Sequence, residues 1–338
     1  MNILVTGGAG FIGSHTVVEL CHAGHTPIIL DDFSNSERSV LDGLKNILGF
    51  EVKFIEGNCN DSSVLEKVFS SNKIDGVIHF AAAKAVGESV QNPLKYYELN
   101  VGSLITLIKT MEKHKVEKLV FSSSCTVYGE PDVIPVTEQT PRKPANSPYG
   151  NTKTIGEDIL RDVVLAGKQF QFIALRYFNP VGAHESAEIG ELPSGVPSNL
   201  VPYITQTAIG KRKSLTIFGD DYDTEDGTNI RDFIHVVDLA KAHVAAFDHL
   251  NDISEPLYDI FNIGTGHGNS VMELVKTFEK VNNLKLNYSI GPRRPGDTVK
   301  IYGDVSKANK ILNWHTEKTL EDSLRDAWRW EQKLASKK

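Results

Sequence analysis

The chain predicts an α/β fold, a doubly wound parallel sheet with helices on both faces and a smaller α/β lobe drawn mainly from its second half. Three observations lead there. Short apolar runs of the buried-strand kind alternate with helical patterns through the first half, as right-handed βαβ units require. Closely spaced glycines follow the first of these runs and open a helical pattern. The polar clusters suited to chemistry fall at the carboxyl ends of the predicted strands, where such sheets bind ligands.

The first strand is Ile3-Leu4-Val5, ended by Thr6-Gly-Gly-Ala-Gly-Phe-Ile-Gly13 and followed by a helical pattern through Glu19 and Leu20. Gly7 suits a tight turn, Gly10 the close approach of a pyrophosphate, and Gly13 close packing of helix on strand. Phe11 and Ile12 fall in the first turn of that helix, whose amides would face phosphate. The spacing is G-x-x-G-x-x-G, not the commoner G-x-G-x-x-G, so context has to support it. The second strand, Pro27 to Leu30, does so by ending in Asp31-Asp32, with Asn35 and Ser36 just beyond. A carboxylate there suits a ribose 2′-hydroxyl and repels a 2′-phosphate, which favours NAD over NADP in a Rossmann-type site. Arg38 argues the other way but lies far past the strand end.

Further strands are expected at Val52–Ile55, Gly76–Phe80, Leu119–Ser122 and Phe172–Leu175. Their ends present Asn58 and Cys59, then Phe80, Ala81 and Lys84, then Ser122-Ser123-Ser124, then Tyr177-Phe178-Asn179. After Asn179 the pattern changes. A loop-rich segment, 180–199, precedes a helix near Leu200 to Gly210, and Gly291-Pro-Arg-Arg-Pro-Gly-Asp297 precedes a closing helix around Trp328 and Trp330. The expected division is 1–179 for NAD and 180–338 mainly for substrate, with some segments returning to the first lobe.

Composition narrows the function. At 338 residues the chain can bury a substantial core, and its net charge of −7 leaves no basic footprint for nucleic acid. Three cysteines, Cys21, Cys59 and Cys125, lack ligand spacing and fit a reducing, cytoplasmic setting. Neither a signal peptide nor an apolar run of the ~20 residues needed to cross a bilayer is expected, so a membrane partner is not. No His-x-x-x-His or carboxylate-linked pattern suggests a metal, and His79 and His235 are assigned structural roles.

Tyr149-Gly-Asn-Thr-Lys153 carries the chemistry. A Tyr and a Lys four apart on a helix share one face, so the ammonium can lower the phenol's pKa. Bringing a Tyr from about 10 to neutrality takes about three units, or roughly 4 kcal/mol. The motif alone is common on solvated helices. Behind a dinucleotide fingerprint, with a Ser triplet ending a strand, it reads as a proton-transfer site.

These three pieces resemble the extended short-chain dehydrogenase/reductase superfamily. Within it, Ala85-Val-Gly-Glu-Ser-Val90, Ser122-Ser-Ser-Cys-Thr-Val-Tyr-Gly129, Arg176-Tyr-Phe-Asn-Pro-Val-Gly-Ala-His184, Ser198-Asn-Leu-Val-Pro-Tyr203, Thr224-Glu-Asp-Gly-Thr228 and Arg231-Asp-Phe-Ile-His235 look like the UDP-glucose 4-epimerases, from Met1 to about Trp330. The resemblance implies an isomerase that transiently oxidises C4 of a UDP-hexose with tightly bound NAD. It makes Tyr149 the base, Ser124 a hydrogen-bond partner of the same sugar oxygen, and Lys153 the group that depresses the Tyr149 pKa and holds the nicotinamide ribose. Arg231 and Arg294 would clamp the UDP pyrophosphate, Asp297 would accept from the uridine ribose, and Phe218 would face the uracil. Asn179, Asn199 and the adjoining Leu200 fall at sugar- and phosphate-contacting positions, and Ile301 at the position bordering the sugar's C2 substituent. A slip of one residue would put Tyr302 there instead.

The chain departs from the family pattern at several points. Asn58 stands where Asp is usual, Leu99 replaces an Asn with Asn100 beside it as the candidate cofactor contact, and Phe233 replaces a Tyr. Related dehydratases carry Asp-Glu where this chain has Cys125-Thr126, which disfavours dehydration. UDP-N-acetylglucosamine as the main substrate is the other alternative. A homodimer through helices around Pro93–Glu112 and Gly150–Leu165 is implied by the resemblance alone.

Overall fold

The computed structural model describes residues 1–294 and 297–336. Its first half reads β1 (Asn2–Thr6), α1 (Phe11–His22), β2 (Thr26–Asp31), α2 (Ser39–Leu48), β3 (Lys53–Glu56), α3 (Ser62–Ser71), β4 (Gly76–His79), α4 (Val86–Gln91), α5 (Pro93–Tyr96), α6 (Ser103–Lys113), β5 (Lys118–Ser122), α7 (Pro148–Leu165) and β6 (Gln171–Tyr177). A π-helical turn, Tyr97–Gly102, joins α5 to α6. The second half adds β7 (Asn179–Val181), α8 (Leu200–Ala208), β8 (Leu215–Phe218), β9 (Ile230–Arg231), β10 (Phe233–His235), α9 (Val236–Asn251), β11 (Leu257–Ile263), β12 (Asn269–Ser270), α10 (Val271–Asn282), β13 (Tyr288–Gly291), β14 (Lys300–Ile301), α11 (Ser306–Ile311) and α12 (Leu320–Ser336).

Seven strands form one sheet in the order β3-β2-β1-β4-β5-β6-β11. Every pairing in it is parallel. Strand alternation assigns each face its own core. Ile3, Val5 and Ile29 point to the side covered by Val17, Val18 and Leu20 of α1 and Leu239, Phe247 and Leu250 of α9. Leu4, Val77, Leu119 and Phe172 point to the side covered by Leu65 of α3, Leu104, Leu107 and Met111 of α6, and Leu160 of α7. Each of these side chains is essentially inaccessible, and burying one stabilises by about 1.5–3 kcal/mol. Strand order reverses between β2-β1 and β4-β5, which opens the ligand crevice above β1 and β4.

Residues 236–263 return to this layer, because α9 packs against α1 and β11 extends the sheet beyond β6. The small lobe closes around Ile204, Leu215, Ile217, Leu274, Phe278 and Leu324. Phe233 is buried in the same core. Among the described residues no helix is long and apolar enough to cross a membrane, and no cluster of His, Cys, Asp or Glu could hold a metal ion.

Candidate active site

The glycine turn after β1 is built for a backbone that must come close to its neighbours. Gly7 has φ +70°, and a Cβ there would lie 2.8 Å from the Ala81 amide nitrogen. A Cβ on Gly13 would lie 2.2 Å from the Gly7 carbonyl oxygen, so α1 can seat on the turn only without one. Gly10 caps α1 with no side-chain hydrogen bond, leaving the amides at Phe11 and Ile12 without a side-chain acceptor, an arrangement that fits a phosphate. Asp31 is buried at the end of β2 and accepts from the Ala9 and Phe33 amides and the Ser36 hydroxyl. Asp32 is exposed, accepting from Ser34, and Asn35 is exposed too. Arg38 is ion-paired with Glu56 and lies over the Phe33 ring, which offsets the charge that argued for NADP.

Other expected cofactor contacts are partly engaged within the chain. Asn58 Oδ1 accepts from the Asn60 amide, and Cys59 is buried. The Ser122 and Tyr177 hydroxyls bond to each other at the ends of β5 and β6, where Phe178 is buried too. Phe80 packs on His243. Asn100 is engaged in the same way: its side-chain nitrogen donates to the Ala83 carbonyl and to the Thr152 hydroxyl of α7, and its oxygen accepts from the Ala83 amide, which ties the loop after β4 to α7.

Helix α7 positions the proton-transfer group. Ser147 caps it by accepting from the Gly150 amide, and Pro148 opens it with a preset φ. Gly156 lets the helix approach β5 closely, since a Cβ there would lie 2.7 Å from Phe121 Cζ. Lys153, 4% exposed, therefore reaches the Ser122 carbonyl oxygen at 2.7 Å, with its ammonium 5.8 Å from the Tyr149 ring centre. Burial lowers the Lys153 pKa to about 8. Burial also pushes the Tyr149 phenol well above its ordinary value, with Tyr177 and Cys125 adding to the rise and a hydrogen bond with Ser124 opposing it. In the protein alone desolvation dominates Tyr149, and the expected depression by Lys153 is not among the leading influences on it. Ser124 is buried, caps a single 3₁₀ turn at Cys125–Tyr128, and accepts from the Thr126 amide.

Across the crevice, the expected nucleotide-sugar residues gather at the edge of the small lobe. Arg231 on β9 is half-buried; burial lowers its pKa, while Asp297 raises it and Arg294 lowers it. Arg294 and Asp297 form a two-bond ion pair at 2.7 and 3.1 Å, and the Arg294 guanidinium lies 5.8 Å from the centre of the Phe218 ring, which is 43% exposed. Pro295 and Gly296, between the two arginines and Asp297, lie outside the described residues. Asn179 begins β7 and is tied through its amide to the Asp232 carbonyl. Asn199 caps α8 ahead of Leu200 with no side-chain bond to the helix; its side-chain nitrogen donates to Glu191 instead. Ile301 pairs with Arg231 across β14–β9 and is buried with Cys125, Val127 and Phe178.

Two carboxylates escaped the sequence reading. Glu191 touches both Lys84 and Asn199 from the loop at 180–199, where nothing local marks it. Glu157 follows Lys153 by four residues and is buried between Arg176, bonded twice at 2.8 and 2.6 Å, and the Ser123 hydroxyl at 2.6 Å. Its spacing from Tyr149 and Lys153 on one helix face was the available signal.

Known proteins match this arrangement along the whole chain. The NAD dependent epimerase/dehydratase family matches residues 3–264. A UDP-glucose 4-epimerase of Haemophilus influenzae is 52% identical over 332 residues, spanning 98% of this chain and 97% of that one. A UDP-glucose 4-epimerase of Bifidobacterium longum, solved with NAD+ and UDP, superposes with a TM-score of 0.95 at 49% identity over 98% of both chains. The UDP-Glc/GlcNAc 4-epimerase of Campylobacter jejuni superposes with a TM-score of 0.84 at 38% identity, over 98% of this chain and 99% of that one.

Proposed function

We propose, from a chain that belongs to the NAD dependent epimerase/dehydratase family, that Tyr149, Ser124 and Lys153 carry out C4 epimerisation of UDP-hexoses. The enzyme is an isomerase acting on UDP-glucose and UDP-galactose, with NAD as its cofactor. When bound, NAD supplies reversible hydride acceptance at C4. The chain supplies the rest. Tyr149 removes the proton from the 4-hydroxyl and returns it, with Ser124 hydrogen-bonded to the same oxygen throughout the transfer. Lys153, moored to the Ser122 carbonyl, contributes positive charge to a phenol that burial otherwise keeps protonated. Inversion requires C4 to present both faces, so the sugar must turn while its diphosphate stays clamped; Arg231 and Arg294 hold the diphosphate, Asp297 the uridine ribose and Phe218 the uracil.

The observation that carries this reading is the convergence of Ser124, Tyr149 and Lys153 with no titrating group at the two positions after Ser124. Burial pushes the Cys125 thiol up to about 12, and Thr126 does not titrate. Elimination of water needs an acid and a base there. We further propose weaker use of N-acetylated UDP-hexoses, a cytoplasmic setting supported by three free cysteines, and a homodimer through α5, α6 and α7. The dimer is supported by Leu94, Ile105 and Leu165 on those helices, which are 80%, 38% and 76% exposed. Incubating the purified protein with UDP-glucose and no added cofactor, and following products by NMR, should yield UDP-galactose. A dehydrated 4-keto sugar, or no product, would overturn the assignment.

A further inference from the structure

We infer that Glu191 is a positioning residue that fixes Lys84 and Asn199 relative to each other across the crevice and so sets the affinity for the UDP-sugar. The inference rests on the epimerase reading for the identity of that ligand. Lys84 follows β4 on the cofactor side, and Asn199 heads α8 on the substrate side. One carboxylate oxygen, Glu191 Oε1, lies 2.6 Å from Asn199 Nδ2 and 3.5 Å from Lys84 Nζ.

Glu191 is the fixed member of the three. Its side chain is 10% exposed against 47% for Lys84. Its backbone carbonyl accepts from Trp330 Nε1 at 3.0 Å, and a Cβ on the preceding Gly190 would come within 2.5 Å of the Trp330 ring. The loop is therefore pinned on α12, and the carboxylate with it. Both partners keep donors after binding it. An amide has two N–H groups and an ammonium three, so Asn199 and Lys84 can each still reach a ligand oxygen. Asn199 makes no cap bond to α8, which leaves Glu191 as the partner that orients its amide. Without the carboxylate, two polar side chains on opposite walls must be ordered by the ligand itself, which weakens binding.

The test uses the purified chain with its NAD, titrated calorimetrically with UDP and assayed with UDP-glucose. Glu191→Ala should weaken UDP and raise KM about tenfold, the scale of one charge-assisted hydrogen bond, with kcat within about threefold. Glu191→Gln, which keeps an acceptor for Asn199, should lose less. Adding Glu191→Ala to a chain already carrying Asn199→Ala and Lys84→Met should change UDP affinity by less than about twofold, because both partners it orients are already gone. If Glu191→Ala does not fold, Glu191→Gln combined with Lys84→Met repeats the cycle on the charge alone. An unchanged UDP affinity in the single variants, or losses that multiply in the combined variants, would overturn the inference. UDP binding is read without turnover, so a failed epimerase assignment would show separately, as wild-type protein that binds UDP but converts no sugar.

Discussion

The Lys153 ammonium donates to the Ser122 carbonyl oxygen at 2.7 Å, which moors it to the end of β5 with its charge 5.8 Å from the centre of the Tyr149 ring. In the proposed mechanism Lys153 acts on Tyr149 through space, by charge. Tyr149→Phe should retain NAD and lose several orders of magnitude in kcat, since the base is removed while the glycine turn is intact. Released NAD after denaturation and steady-state rates together check this; near wild-type turnover would contradict the role of Tyr149.

Lys153→Met should lose activity with a pH dependence whose sign follows from burial. The folded Lys153 pKa is lowered to about 8, so its charge is present below that pH and fades above it. Tyr149 in the variant ionises unaided only at high pH. The ratio of wild-type to variant rate should therefore be largest at pH 7 and shrink as pH rises through 8 to 10. A ratio independent of pH would remove the electrostatic role. Thermal melts give a second readout. An unfolded Lys keeps its proton up to about 10.4, so burial of the cation costs stability below pH 8, and that cost is relieved between about 8 and 10. Lys153→Met should accordingly be the more stable chain at pH 7 when both are freed of cofactor.

Asp31 is buried at the end of β2, bonded to the Ala9 and Phe33 amides, so its negative charge is fixed where a 2′-phosphate would sit. Dinucleotide released by denaturing the purified protein should be NAD. Recovery of mostly NADP would mean that the Arg38–Glu56 pair opens to bind phosphate instead.

Glu157→Gln should destabilise the fold by about 3–5 kcal/mol, the cost of leaving a buried guanidinium without its counter-ion. Arg176 and Glu157 are 3% and 1% exposed, and Glu157 also accepts from the Ser123 hydroxyl. Urea unfolding should show a lower midpoint. A midpoint within error of wild type would mean that Arg176 finds another partner.

Local signals were legible in the sequence, and long-range partnerships were not. The turn at Gly7 to Gly13, the Tyr149–Lys153 spacing on one helix and the alternating strands are each written in neighbouring residues, and the sheet they build is parallel as expected. The seventh strand, Leu257–Ile263, was hidden because it joins the sheet after a change of pattern, beside a strand about 80 residues earlier. The partners of Asn100 were equally out of reach, because spacing alone cannot show that Ala83 and Thr152 bond its side chain. Glu191 carried no motif at all: its meaning comes from Lys84 and Asn199, which fold against it from opposite sides of the crevice.

Substrate breadth should turn on Ile301. The choice between Ile301 and Tyr302 is one of strand register, because neighbouring residues on a strand face opposite ways. Ile301 is 5% exposed and packs with Cys125 and Phe178, the neighbours of Ser124 and Asn179. Tyr302 is directed the other way: a Cβ on Gly268 would lie 2.8 Å from its ring, and the Lys300 ammonium sits 5.3 Å from its ring centre. A branched aliphatic side chain is smaller than a Tyr but larger than a Cys or Ser, and overpacking a tight site costs about 1–3 kcal/mol. UDP-glucose and UDP-galactose should thus be the main substrates, with UDP-N-acetylglucosamine and UDP-N-acetylgalactosamine turned over about 10–100-fold less efficiently in kcat/KM. Ile301→Tyr should abolish the N-acetyl activity selectively, and Tyr302→Cys should leave it little changed. If Tyr302→Cys instead opens the pocket while Ile301→Tyr has no effect, the sugar lies against the other face of the strand and the wild-type enzyme should be confined to the plain hexoses.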